Sequence, residues 1–176
     1  MHGALHVPEI RYAICAEMDS RGGLSKLSRV SRDWYDAANI RLWEHLDSLL
    51  PLLCLLPADS WEMAASEASS PRRVFTLTRP LTPLDWAPVL KRSILVKALR
   101  ERIDGTPPGI GVEALETMCR SPPPFTLLPH LQDLSFPTKG YGTHSAFYFQ
   151  LISPSLRVLQ VHGSWPDGIS VMRVAD

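Results

Sequence analysis

The sequence predicts a mixed α/β fold, with a three-helix module at the N-terminus followed by a short, irregular solenoid of strands and helices. Three observations lead there. Apolar residues recur at helical spacing through the first 45 residues, and a φ-x-x-L core (φ, apolar) returns three times in the second half of the chain. The 16 prolines fall between these periodic segments, so they punctuate many short elements and do not form one linker. With 176 residues, 45% apolar and 20% charged, the chain has the balance of one ordinary domain or two small ones and is expected to fold.

The first helix is signalled by Pro8 at its first position, where no N–H is needed, and by Glu9 in the first turn, where its charge suits the helix dipole. Ile10, Ala13, Ile14 and Met18 stack on one face, while Arg11 and Glu17 point elsewhere. Asp19, Ser20, Arg21, Gly22 and Gly23 read as a turn cluster. A short second helix then carries Leu24, Leu27 and Val30, with Lys26 and Arg29 facing out. Ser31 can cap a third helix, with Asp33 in its first turn and Trp34, Ala38 and Leu42 aligned, Ala37 and Trp43 beside them. The apolar run at 49–56 carries Pro51 and is far short of the roughly 20 residues a membrane crossing needs, so a buried helix or turn is predicted. Residues 58–73 lose all periodicity. They are expected to be a mobile connection between an N-terminal unit (1–57) and a C-terminal one (74–176).

In the C-terminal part, residues 74–78 alternate as a strand, and Thr82, Pro83 and Asp85 make a capping box at the start of a helix that Pro88 should kink or restart. The φ-x-x-L copies begin at Val96, Leu131 and Leu156; the last two are 25 residues apart and the first two 35. A spacing of about 25 lies inside the period of leucine-rich repeats, in which each unit gives one strand of a parallel sheet. Between copies, Val112, Leu115, Met118 and Cys119 predict a short helix stopped by Pro122, Pro123 and Pro124, and residues 147–152 another. The strand at 156–161 is expected to be the last parallel strand, with an open edge. Ile169, Val171, Met172 and Val174 are too apolar for a solvated tail. They would either fold back as a cover or open a further repeat, and the second reading, a truncated array, is the one expected.

The chemistry is sparse. Lys+Arg 18 against Asp+Glu 18 gives no net charge, which argues against nucleic acid and anionic membranes as partners. Cys15, Cys54 and Cys119 are too scattered for a disulfide framework or a metal knuckle, and the N-terminus shows no secretion signal, so a cytoplasmic or nuclear location is expected. His2, His6, His45, His130, His144 and His162 have no zinc-binding spacing. His144 beside Ser145, and His162 near Ser164, lack a nucleophile elbow, and Gly22, Gly23 and the stretch 105–111 lack phosphate-loop spacing. No catalytic residue, metal or cofactor is predicted.

The first 45 residues are more informative. Val7-Pro8-Glu9-Ile10, then Ile14, Met18, Asp19, Leu24, Leu27, Val30, Ser31, Trp34 and Leu42-Trp43 resemble an F-box. Val7 stands where the family usually has leucine, Arg11 where an apolar residue is common and Ser31 where cysteine is usual, and Gly22-Gly23 loosens the first turn. Residues 46–57 and 76–86 extend the resemblance to fungal F-box proteins whose C-terminal part is a degenerate leucine-rich repeat region. The resemblance implies a non-enzymatic substrate receptor of a cullin-type (SCF) ubiquitin ligase. Val7, Pro8, Glu9, Ile10, Ile14, Met18, Leu24, Leu27, Val30 and Trp34 would bind the Skp adaptor, and through it a cullin, while the repeat region holds an unidentified target protein. The alternative is a leucine-rich repeat scaffold with no ubiquitin link, its N-terminal helices capping the array.

Overall fold

The computed structural model describes residues 5, 7–65, 73–101, 109–137, 145–165 and 168–173. Its described residues form a mixed α/β fold with seven α-helices and two open sheets. The chain divides into two compact units, Met1–His45 and Leu46–Asp176.

In the first unit, Pro8 opens α1 (Pro8–Ala16) and Glu9 lies in its first turn. α2 (Arg21–Leu27) starts earlier than its apolar spacing predicts, because the Gly23 N–H donates to the Ser20 side chain at 3.2 Å and so relieves one of the open donors at a helix start. Gly22 and Gly23 are therefore helical and not a turn. At Gly23 a Cβ would stand 2.6 Å from the Met18 terminal methyl, so the missing side chain is what lets Met18 lie there. α3 (Arg32–Glu44) begins as expected, its Trp34 N–H directed to the Ser31 hydroxyl at 3.4 Å.

The boundary at 45/46 replaces the one expected at 58–73. Leu46, Leu49, Leu52, Leu53 and Leu56, around the short helix α4 (Leu50–Leu53), are fully or almost fully buried in the second unit. Residues 58–65 are not a loose tether either. β2 (Trp61–Ala65) pairs antiparallel with β3 (Arg73–Leu77), from Trp61 opposite Leu77 to Ala65 opposite Arg73. The Trp61 indole stacks on Phe75 at 5.4 Å and donates to the Leu56 carbonyl at 3.1 Å, and Ser60 is buried. Residues 66–72 of the expected connection lie outside the described residues. β5 (Gly109–Ile110) adds to β3 in parallel, completing a three-stranded sheet in the order β2-β3-β5.

Past β3, Arg79 ties three positions together. It donates to Asp59 at 2.9 Å and, in a fork, to both Asp85 oxygens at 2.8 and 3.0 Å. Asp85 also accepts from the Thr82 N–H (2.7 Å) and hydroxyl (2.9 Å), the capping contact expected from the sequence. The Arg79 guanidinium, and after it the Thr82 N–H, hold the Asp85 carboxyl well below the usual carboxylate range. A 3-10 turn, Pro83–Trp86, runs into α5 (Ala87–Ser93) with Pro88 in the first turn, so the proline restarts the helix.

The larger sheet has the order β1-β4-β6-β7-β8, with the two-residue β1 (His45–Leu46) at one edge. β4 (Ala98–Arg100), β6 (Asp133–Pro137) and β7 (Val158–Trp165) are the three φ-x-x-L copies, and they are parallel. Leu99, Leu134 and Leu159 stand in one row across the three strands. The entry to each strand repeats as well. The N–H of Val96, Leu131 and Leu156 donates to the carbonyl three residues earlier, at Ser93 (3.1 Å), Leu128 (3.2 Å) and Ser153 (3.0 Å). The Lys97 carbonyl then accepts the Gln132 and Asp133 N–H groups, and the Gln132 carbonyl those of Arg157 and Val158. Three copies of one backbone pattern thus lie side by side. α6 (Val112–Arg120) buries Leu115 and Met118 of the expected face together with Ala114, whereas Val112 is exposed and Cys119 half-buried, so the inward face is turned toward Ala114. α7 (Ser145–Phe149) lies slightly ahead of the helix expected at 147–152, and Tyr148 stacks on Phe136 at 4.8 Å.

β7 is not an edge. β8 (Gly168–Arg173) turns back and pairs antiparallel with it, Leu159 opposite Met172 and Val161 opposite Ser170, with an irregularity between His162 and Trp165. The segment expected to open a further parallel strand is therefore the folded-back cover, since an antiparallel pair needs only a short turn where a parallel one needs a crossover.

Candidate docking surface

Helix α1 presents two stripes, and the structure reverses which one faces inward. Arg11 and Cys15 are buried, at 8% and 1% exposure, and Met18 packs beside them. Arg11 reaches its position by donating to Asp33 of α3 at 2.6 Å, so the charge that breaks the apolar pattern has a partner. Leu24, Ala37 and Ala38 complete the fully buried core, with Leu27, Trp34 and Leu42 packed against it. Burial pushes the Cys15 thiol up, consistent with a neutral core group. Arg21 donates to the His45 carbonyl (2.6 Å) and Arg41 to the Ala16 carbonyl (3.3 Å), tying the C-terminal end of α3 to α2 and α1.

The ten residues expected to bind an adaptor therefore divide. Val7, Pro8, Glu9, Ile10, Ile14 and Val30 are exposed, whereas Leu24 is buried and Met18, Leu27 and Trp34 pack on the core. Ile10 and Ile14, one turn apart, form an outward apolar ridge with Val7 just before it. Tyr12, Tyr35 and Ile40 are further exposed apolar side chains that the spacing did not single out. Their signal exists only once Arg11 and Cys15 are known to point inward. Few side chains are fully buried here, so the outer apolar surface is large for the unit's size.

In the second unit, the face of the parallel strands opposite Leu99, Leu134 and Leu159 carries polar groups. Arg100 donates to Asp133 at 2.6 and 3.0 Å, and the Ser135 hydroxyl meets His162 Nε2 at 2.8 Å. His162 thus meets a serine 27 positions away, while the side chain of Ser164 lies outside the described ones. Ser135 is 5% exposed, and the contact links the neighbouring strands β6 and β7. His144 lies outside the described residues, as does Gly105. Beside α7, an apolar groove of about 390 Å³ is lined by Pro122, Pro123, Phe125, Leu127, Phe147 and Leu151, with Thr126 and Gln150 its polar contributors.

Glu101, just after β4, accepts from the Leu49 N–H at 2.9 Å and from the Tyr148 hydroxyl. Burial pushes its carboxyl up to about 7, outweighing those two bonds, and the Asp47 charge adds to the rise. Among the described residues, no three His, Cys, Asp or Glu side chains converge to hold a metal, and no helix is long and apolar enough to cross a membrane. No family model, curated protein or solved structure matches this chain.

Proposed function

We propose that the chain is a substrate receptor of a cullin-type ubiquitin ligase, with an F-box in the first unit that docks on the Skp adaptor and a degenerate leucine-rich repeat unit that holds a target protein. One observation carries the reading. A three-helix unit with the ordered F-box residues keeps Val7, Pro8, Ile10, Ile14 and Val30 on its outside, while its own core is small. Val7, Ile10, Ile14 and Val30 are 36–65% exposed, so covering each against a partner gains a part of the roughly 1.5–3 kcal/mol of full burial, which favours association. The three parallel copies with one hydrogen-bonding pattern support the repeat half. They equally fit a repeat scaffold with no ubiquitin link, so the adaptor decides between the two. The test is calorimetric titration of the full chain with purified Skp adaptor. The reading expects affinity in the micromolar range or tighter, weakened about tenfold or more by the pair Pro8→Ala and Ile10→Ala. Absence of association at micromolar concentrations would overturn it.

A further inference from the structure

The corner between α2 and α3 carries Lys26 in the last turn of α2, Arg29 directly before Val30 and Arg32 at the start of α3. All four are exposed, and Val30, at 65%, is the most exposed large apolar residue described in the unit. Backbone bonds hold the corner in shape, with the Arg29 N–H on the Lys26 carbonyl (3.1 Å) and the Val30 N–H on that of Leu27 (3.0 Å). The carboxylate next in sequence, Asp33, is taken by Arg11. None of the three cations forms an ion pair among the described residues. A partner that covers Val30 must also draw water away from these cations, which is costly unless it supplies carboxylates in return.

We infer that the protein docking on the first unit brings a carboxylate-rich segment to this corner, with an apolar side chain over Val30 and acidic groups on Lys26, Arg29 and Arg32. This deepens the adaptor reading and rests on it. A polyanion or an anionic membrane is a poorer match, because the chain has no net positive charge to add to three cations and Val30 would remain uncovered in a phosphate contact.

The experiment measures association of the full chain with purified Skp adaptor by stopped flow at about 50 and about 500 mM salt, where screening lengths differ roughly threefold. The triple variant Lys26→Glu, Arg29→Glu, Arg32→Glu is expected to slow association at least about tenfold at low salt, with the gap closing at high salt and the melting temperature little changed. Val30→Ala should raise the dissociation rate several-fold. The milder triple variant to Gln should give the same order of effects if the Glu variant folds poorly. If the adaptor binds, and Pro8→Ala with Ile10→Ala weakens it, yet charge reversal and salt change nothing, the inference falls while the adaptor reading stands. If the wild-type chain does not bind the adaptor, both fall. Charge-dependent pelleting with phosphatidylserine vesicles, with adaptor binding insensitive to the reversal, would assign the corner to membranes and overturn the inference.

Discussion

Arg11 and Asp33 are 22 positions apart and meet at 2.6 Å, the arginine side chain 10% exposed and the aspartate 58%. The two therefore differ in what their loss leaves behind. Asp33→Ala strands a nearly buried guanidinium and should cost about 1–3 kcal/mol, whereas Arg11→Met replaces the charge with an apolar chain of similar length and should cost clearly less. Chemical denaturation of the two variants checks the order. Equal losses would show that packing of the Arg11 stem, and not the ion pair, sets the stability.

Leu134 lies in the middle of the row formed with Leu99 and Leu159 and is fully buried. Leu134→Ala is expected to cost about 2–5 kcal/mol in urea unfolding, because it removes contacts and leaves a cavity. Leu84, at 84% exposure, is the control: Leu84→Ala should change stability by no more than about 0.5 kcal/mol.

Glu101 makes stability fall as pH rises. Its folded-state value near 7 lies above its ordinary 4.5, so the folded chain holds a proton there that the unfolded chain releases. The contribution is complete below about pH 4.5 and is lost as pH climbs through about 7, to a total of about 3 kcal/mol. Thermal melts from pH 5 to 8 should show this decline in wild type and a flatter profile in Glu101→Gln, which keeps a carbonyl for the Leu49 N–H.

Asp85 behaves in the opposite sense. Its carboxyl is depressed by Arg79 and by the Thr82 N–H, so its contribution is present above the ordinary carboxylate range and is lost as pH falls below it. Arg79→Met should lower the melting temperature at pH 7 and make the loss on acidification shallower than in wild type. Parallel acid titrations by circular dichroism check both effects.

The elements most legible in the sequence are those whose rule is local and repeated. Val96, Leu131 and Leu156 each precede their strand leucine by three positions, and that fixed offset is enough to align Leu99, Leu134 and Leu159. What sequence could not show depends on a distant partner. β2 reads as featureless because Ala64 and Ala65 carry little signal, and it is a strand because β3 pairs with it and Phe75 receives Trp61. Arg11 looks like an interruption of the motif until Asp33 is placed beside it. Gly22 and Gly23 look like a helix stop, and the Ser20 side chain turns them into a helix start. The residues proposed for docking follow the same division. Spacing identifies Ile10 and Val30 alongside Leu24 but not which of them looks outward, since that requires knowing how α1 and α2 lean on α3.

The reversal of direction at β8 gives the larger sheet a polarity that shows itself in time. β7 has neighbours on both sides, so its amide hydrogens should exchange with deuterium only through rare openings of the sheet, while the outward amides of β8 exchange first. A strand from another molecule that tried to continue the parallel run would have to peel β8 away before it found a β7 edge to invade. That peeling is a kinetic barrier, and its height sets how long concentrated protein resists strand exchange.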